Sequence, residues 1–203
     1  MNHTTYLRVH HNLKRLNLHV MDRMLDNCLE LAQRDNYTMV EFLDHLLQEE
    51  CNHRNEASIK IRMMTARLPF RKTIDDFDFE FQKSVSKKLI MEILTMRFLY
   101  NHENIIFLGP PGVGKTHLAV AIGIEAIKAG FSTYFITCHE MLRKLTTIND
   151  PEKINQKLKQ LAGYKLLIID ELGYLPMKKD LSLIHISEPT RLGMISYAVF
   201  CLK

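Results

Sequence analysis

Apolar residues near the start of the chain recur at three- and four-residue steps, and this spacing predicts an amphipathic helix over roughly residues 11 to 34. Thr38 and Glu41 then form a capping box, which predicts the start of a second helix. That helix can run as far as Leu68, because the proline after Leu68 stops it. Residues 1–69 are therefore predicted to form a small helical module.

The pattern changes after this module. Residues 70–86 are rich in aromatic and acidic side chains without a helical period, which predicts a linker, and a helix capped by Ser86 is predicted from Lys87 to about Tyr100. Strands and helices then alternate. Strands are predicted at Ile105–Leu108, Ser132–Thr137 and Lys165–Asp170, and helices at Thr116–Lys128, His139–Thr146 and Pro151–Leu161. This alternation predicts an α/β fold with three layers, a parallel sheet covered by helices.

The composition is that of an ordinary globular protein, with 46% hydrophobic and 25% charged residues. It argues against disorder and against a disulfide scaffold. The longest apolar runs fall far short of the ~20 residues that a membrane-spanning helix needs, so no membrane span is predicted. The N-terminal segment also lacks the apolar region of a secretory signal. We therefore expect a cytoplasmic protein.

The formal net charge of +4 is too mild to indicate a nucleic-acid partner by itself, but the basic residues cluster. Six Lys or Arg side chains and only one acidic residue lie between Arg54 and Lys72. One interpretation is a solvated helix face; the other is a contact with a phosphate backbone. The candidate nucleic-acid contacts are Arg54, Lys60, Arg62 and Arg67.

Residues 109–116 read Gly-Pro-Pro-Gly-Val-Gly-Lys-Thr, a P-loop pattern between a predicted strand and an Ala-rich helix. Its glycines let the backbone curl so that N–H groups point at phosphates, and the following helix adds its positive end. Lys115 is predicted to reach the β- and γ-phosphates of ATP, and Thr116 to offer its hydroxyl to Mg²⁺. The predicted nucleotide-binding residues are Gly109, Pro110, Pro111, Gly112, Val113, Gly114, Lys115, Thr116 and His117.

Residues 166–171 read Leu-Leu-Ile-Ile-Asp-Glu, an apolar run that ends in two carboxylates and is typical of a Walker B strand. Asp170 is predicted to hold Mg²⁺ through water, and Glu171 to orient or deprotonate the attacking water. Glu171 and Lys115 are thus the predicted catalytic residues. A buried strand that merely ends in a polar helix cap is the alternative, and the P-loop upstream favours the ATP site.

The two motifs, within residues 109–119 and 166–176, resemble the IstB-like helper ATPases of bacterial insertion sequences, AAA+ relatives of the DnaC helicase loader. The resemblance extends through Asp75–Phe79 and covers roughly residues 10–180. It implies an AAA+ ATPase that uses ATP and Mg²⁺, forms a homo-oligomer on duplex DNA and assists a partner transposase. A DnaC-like helicase loader is the second choice. A nucleotide-responsive DNA-binding or recruitment module without hydrolysis is the alternative from a different class.

The resemblance ends near Asp180. The elements that AAA+ relatives place next, among them a sensor strand and a helical lid, are not recognisable. Residues 181–203 resemble translated adapter read-through, and a genuine divergent C-terminus is the alternative. We therefore expect an AAA+ sheet of three strands, incomplete at the C-terminus, that binds ATP with little hydrolysis. The predicted organisation is a helical module (1–69), a linker (70–86), a partial ATP-binding domain (87–180) and a foreign tail (181–203).

Overall fold

The computed structural model describes residues 3–148 and 150–171 and the backbone of residues 196–202. The helices are α1 (His3–Arg15), α2 (His19–Arg34), α3 (Met39–Thr65), α4 (Lys87–Ile93), α5 (Arg97–Tyr100), α6 (Lys115–Lys128), α7 (Cys138–Thr146) and α8 (Pro151–Ala162), and the strands are β1 (Ile105–Leu108), β2 (Thr133–Thr137), β3 (Leu166–Asp170) and β4 (Ser196–Leu202). The chain divides into two compact units, Met1–Lys60 and Ile61–Lys203. In the parts of the chain described here, no helix is long and apolar enough to cross a membrane.

The N-terminal unit is helical, but the single helix predicted over residues 11–34 is two helices. A turn at Asn17, where φ is 56°, separates α1 from α2. The carboxylate of Glu50, which lies on α3 and is buried, accepts hydrogen bonds from the backbone N–H groups of Val20 (2.9 Å) and Met21 (3.2 Å). These N–H groups of the first turn have no partner within their own helix. A contact from α3 therefore stabilises the start of α2, and the apolar periodicity continues across the break without marking it.

α3 begins with the predicted capping box. The N–H of Glu41 donates to Thr38 Oγ1 (3.2 Å), and the N–H of Thr38 donates to the Glu41 carboxylate (2.7 Å). This backbone hydrogen bond, with one from the Thr38 hydroxyl, lowers the pKa of Glu41. A small apolar core completes the unit, and its buried members are Leu13, Met21, Leu25, Cys28 and Leu46.

The second unit is built on a parallel sheet with the strand order β1-β4-β3-β2. The sequence predicts three of these strands within a residue of their observed bounds, but the expectation of a sheet with only three strands is wrong. β4 pairs in parallel with both β1 and β3 and thus lies between them. It falls in the segment 181–203, in which the sequence patterns placed no element. The rest of that segment, and residues 172–180, lie outside the described residues.

α6 packs on this sheet and is buried around most of its circumference, from Leu118 to Ile127. A helix that is apolar on all sides belongs in a core. The helix approaches β3 closely at Gly123, where an added Cβ would lie 2.8 Å from Ile168 Cδ1. Because β1 and β3 both run parallel to β4, their carboxyl ends lie at the same edge of the sheet. The loop of residues 109–114, which connects β1 to the first turn of α6, lies at this edge.

The helix predicted from Lys87 to Tyr100 is also divided. Ser86 caps α4 as predicted, through a hydrogen bond from the Leu89 N–H (3.4 Å). Met96 then has φ of 61° and separates α4 from α5. The break allows two packing directions: Ile90 on α4 packs in a cluster with Leu118, whereas Met96 joins the larger core around the sheet.

Candidate nucleotide-binding site

The loop between β1 and α6 has the backbone conformation that its glycines allow. Gly112 and Gly114 have φ values of 83° and 85°, which is the left-handed region that favours glycine. Gly114 is the residue before the first turn of α6. Successive N–H groups in such a turn form a concave site for anions, and the N-terminus of the helix adds its positive potential. The loop therefore has the conformation expected of a phosphate site.

Lys115, the first residue of α6, extends its side chain over the loop. Its Nζ donates hydrogen bonds to the carbonyl oxygens of Gly109 (2.7 Å) and Pro110 (2.6 Å). Lys115 is only 8% exposed. A positive charge is thus held above the P-loop by two neutral carbonyl groups, which an anionic phosphate can replace as partners of the ammonium group.

Thr116 and Asp170 connect the P-loop to β3. The hydroxyl of Thr116 donates to Asp170 Oδ2 at 3.0 Å, and the backbone N–H of Glu171 donates to Asp170 Oδ1 at 2.9 Å. Asp170 is buried, whereas Glu171 is exposed and has φ of 61°. The structure therefore brings together the hydroxyl and the carboxylate that the sequence predicts to bind Mg²⁺. Such oxygen donors are the ligands that this ion prefers.

An open pocket of about 400 Å³ lies at this edge of the sheet. Its lining consists of Pro111, Gly112, Gly114, Lys115, Thr116, Asp170 and Glu171. Four other predicted nucleotide-binding residues lie outside this lining: Gly109 and Pro110 supply the carbonyl groups that hold Lys115, Val113 is half-buried, and His117 contacts another segment. Their contact with a nucleotide stays a prediction.

The segment that the sequence predicts as a linker contacts the P-loop helix. His117 Nε2 lies 2.9 Å from the carbonyl oxygen of Thr73, and Phe77 is buried in a cluster with Leu118. The carboxylate of Asp76 accepts hydrogen bonds from the backbone N–H (2.7 Å) and the hydroxyl (3.0 Å) of Thr73, and these bonds lower the pKa of Asp76. Sequence reasoning predicted only a linker here and missed its contact with the P-loop helix, because the segment has neither helical nor strand periodicity. Its closely spaced phenylalanines were the available signal.

The candidate nucleic-acid residues differ in their surroundings. Arg54 donates to the Glu50 carboxylate (2.8 Å) and to the Asn17 carbonyl oxygen (2.7 Å). Arg67 lies 3.5 Å from the Glu140 carboxylate and 5.9 Å from the centre of the Tyr134 ring. Both arginines are thus engaged inside their own unit.

The side chains of Lys60 and Arg62 make no hydrogen bond or ion pair with the described residues. Lys60 is exposed, and Arg62 is half-buried. Of the four candidate nucleic-acid residues, these two are the side chains whose charges have no partner in the described parts of the protein. DNA contact by any of the four stays a prediction.

Comparison with known families agrees with this geometry. The family described as IstB-like ATP binding protein matches residues 11–186, most of the 203 residues. The chain belongs to this family. The resemblance drawn from residues 109–119 and 166–176 is therefore confirmed, and ATP binding is the property by which the family is described.

Curated relatives of this IstB-like protein are named for ATP binding in bacterial insertion sequences. It is 44% identical over 170 residues to one from IS5376 of Geobacillus stearothermophilus, with 84% of this chain and 68% of the relative covered. Identity is 42% over 176 residues to one from IS232 of Bacillus thuringiensis subsp. berliner, with 87% and 70% covered. The identity to the relative from IS21 of Pseudomonas aeruginosa is 38% over 168 residues, with 83% of this chain and 63% of the relative covered. The chain thus spans about two thirds of the length of these relatives.

Two solved structures share the fold. The replication initiator DnaA bound to AMPPCP and single-stranded DNA matches with a TM-score of 0.52 and 22% identity, and covers 68% of this chain and 43% of its own. The crystal structure of DnaI matches with a TM-score of 0.50 and 20% identity, and the match covers 66% of this chain and 73% of the DnaI chain. The IstB-like protein therefore has the predicted P-loop fold of AAA+ type, with a parallel sheet and a helical N-terminal region.

Proposed function

We propose that this IstB-like protein binds ATP with Mg²⁺ at the P-loop pocket and hydrolyses it to assist a transposase on duplex DNA. The observation that carries the proposal is the 3.0 Å contact between Thr116 Oγ1 and Asp170 Oδ2, beside the ammonium group of Lys115. A hydroxyl, a buried carboxylate and a cation at the start of a helix form the set that phosphoryl-transfer sites use. The membership of an ATP-binding family supports the choice of nucleotide.

Each residue has a defined part in this proposal. The Nζ of Lys115 leaves the carbonyl groups of Gly109 and Pro110 and donates to the β- and γ-phosphates. Thr116 and Asp170 would hold a Mg²⁺ ion, which would supply positive charge to offset the charge of the phosphates. Glu171, exposed at the edge of the pocket, accepts a hydrogen bond from the attacking water and orients it.

The proposal extends to DNA and to the partner protein. Lys60 and Arg62 lack ion pairs with the described residues, so their charges are available to neutralise phosphates of duplex DNA. The names of the curated relatives, which place them in insertion sequences, support a cognate transposase as the partner. We further propose that the protein acts in the cytoplasm as a homo-oligomer.

The experiment measures ATP binding and ATP turnover by the purified chain, with and without duplex DNA. Wild type and Glu171→Gln are expected to bind ATP equally, and wild type to release phosphate slowly but measurably faster than the variant. Turnover that rises with DNA supports the whole proposal. Binding without any turnover would remove the hydrolysis step and favour a nucleotide-responsive recruitment module instead. Absence of nucleotide binding would refute the site itself.

A further inference from the structure

The ring of Phe77 lies directly against the last glycine of the P-loop. A Cβ added at Gly114 would be 2.6 Å from Phe77 Cε2 and 3.4 Å from Cζ. Real Cβ atoms do not approach a neighbour at 2.6 Å, so any side chain at residue 114 would displace either the ring or the loop. Gly112 provides a contrast in the same loop, because an added Cβ there meets no atom within 4 Å although its φ is almost the same.

Other contacts keep the Phe77 ring in this place. Phe77 is 9% exposed and packs with Ile90 and Leu118. Its N–H donates to the carbonyl oxygen of Ile74 (3.1 Å), and its ring meets the ring of His117 edge-on at 5.4 Å between centres. The ring is thus fixed from its own segment, from α4 and from α6, and it can transmit that fixed position to the loop.

We propose that Phe77 is a positioning residue for nucleotide binding, whose ring holds the P-loop at Gly114 in the conformation that binds phosphate. The inference rests on the proposed nucleotide site. Phe77 is not part of the pocket lining, so it acts through the loop. The physical reason is preorganisation: a loop that is already fixed in its binding conformation has less conformational entropy to lose when the phosphates bind.

Phe77→Leu is the sharpest variant, because it removes the two ring atoms nearest to Gly114 and keeps an apolar side chain. Phe79→Leu is the matched control, since Phe79 packs edge-on against Phe77, at 4.9 Å between ring centres, and contributes none of the atoms that an added Cβ at Gly114 would meet first. A titration with a fluorescent ATP analogue and Mg²⁺ is expected to show roughly tenfold weaker binding for Phe77→Leu. The control is expected to stay within about twofold, with a similar change in melting temperature.

A second measurement, the melting temperature of the free protein, tests the contact between Phe77 and Gly114 without any nucleotide. Gly114→Ala and Gly112→Ala both place a side chain at a positive φ, of 85° and 83°, but only the first meets the Phe77 ring. In the wild-type background, Gly114→Ala should lower the melting temperature more than Gly112→Ala. In the Phe77→Leu background, the excess loss of melting temperature in Gly114→Ala over Gly112→Ala should shrink. Phe77→Met replaces Phe77→Leu in both measurements if the leucine variant does not fold.

The outcomes separate this inference from the proposed function. Unchanged ATP affinity in Phe77→Leu, or an excess cost of Gly114→Ala that persists without the ring, would overturn the positioning role while leaving the nucleotide site intact. A wild-type chain that binds no nucleotide would overturn the proposed function and this inference together. Weakened binding with the predicted coupling between residues 77 and 114 supports both.

Discussion

Replacement of Lys115 by alanine tests the nucleotide site most directly. The Nζ of Lys115 lies 2.7 and 2.6 Å from two neutral carbonyl oxygens, so bound phosphates would give it stronger, charged partners. A hydrogen bond to a charged group contributes about 1.5 to 3 kcal/mol. Loss of one such contact corresponds to roughly ten- to 150-fold weaker binding. We therefore expect the affinity of Lys115→Ala for ATP to fall by one to two orders of magnitude or more.

The same substitution also affects the protein without nucleotide. From the sequence alone, Lys115 is expected to face the phosphates, so that its removal loses no core packing and leaves the fold intact. In the structure the residue is 8% exposed, and its side chain is hydrogen-bonded to the loop. Gly109 is half-buried and Pro110 is exposed. Water can therefore donate some of the hydrogen bonds that their carbonyl oxygens lose when the ammonium group is removed. Each lost hydrogen bond then costs about 0.5 to 1.5 kcal/mol. The melting temperature should fall by a few degrees, and the protein should remain folded.

The assay is a titration with a fluorescent ATP analogue in the presence of Mg²⁺, together with thermal unfolding of the free protein. Lys128→Ala is the matched control: Lys128 ends the same helix, is half exposed and pairs with Glu125 at 2.6 Å. The control should bind nucleotide as wild type does. If Lys115→Ala keeps its affinity within about twofold, then the phosphates do not lie where the P-loop geometry puts them.

Three further changes have defined outcomes. Glu171→Gln should reduce the rate of ATP hydrolysis by about 10² to 10⁴ in a phosphate-release assay and leave ATP affinity unchanged. Burial raises the pKa of Glu50, but hydrogen bonds, first from Arg54 and then from backbone N–H groups, lower it overall. The contribution of the Glu50 carboxylate to the free energy of unfolding is therefore complete above about pH 4.3, the pKa of an unfolded glutamate, and it disappears as the pH falls through the lower pKa of the folded protein. Glu50→Gln should lower the melting temperature at pH 7, and a circular-dichroism series should show a smaller loss of stability at acid pH than in wild type. Replacement of both Lys60 and Arg62 by glutamine should flatten the salt dependence of duplex-DNA binding by up to ~2 units, measured by fluorescence anisotropy, and an unchanged slope would argue against DNA contact.

Much of the fold and of the pocket could be predicted because the signals are local. β1 has the predicted bounds, since a short apolar run with turn residues after it predicts a strand. The P-loop and the carboxyl end of β3 could be placed together because parallel strands end at one edge. The observed contact between Thr116 and Asp170 follows from these two patterns.

The helix breaks could not be predicted from such patterns, because contacts from other elements stabilise them. Periodicity continues through Asn17. The contacts that mark the break come from α3, where Glu50, 33 residues away in the chain, accepts hydrogen bonds from the first turn of α2 and Arg54 donates to the Asn17 carbonyl oxygen. Met96 likewise looks like one more apolar position of a helix. Its positive φ allows the helices on either side to pack in different clusters. Tertiary packing therefore decides where these helices end.

Phe77 illustrates a different reason why the sequence is incomplete as a source of site residues. Gly114 is already required by the P-loop pattern, because its φ of 85° favours glycine. A second requirement for glycine comes from the Phe77 ring, which occupies the space that a side chain at residue 114 would need. Two physical constraints on one residue produce the same glycine, so the sequence cannot separate them, whereas the structure can. The coupling between residues 77 and 114 is accordingly the quantity that distinguishes a segment that only connects α3 to α4 from a segment that shapes the nucleotide site.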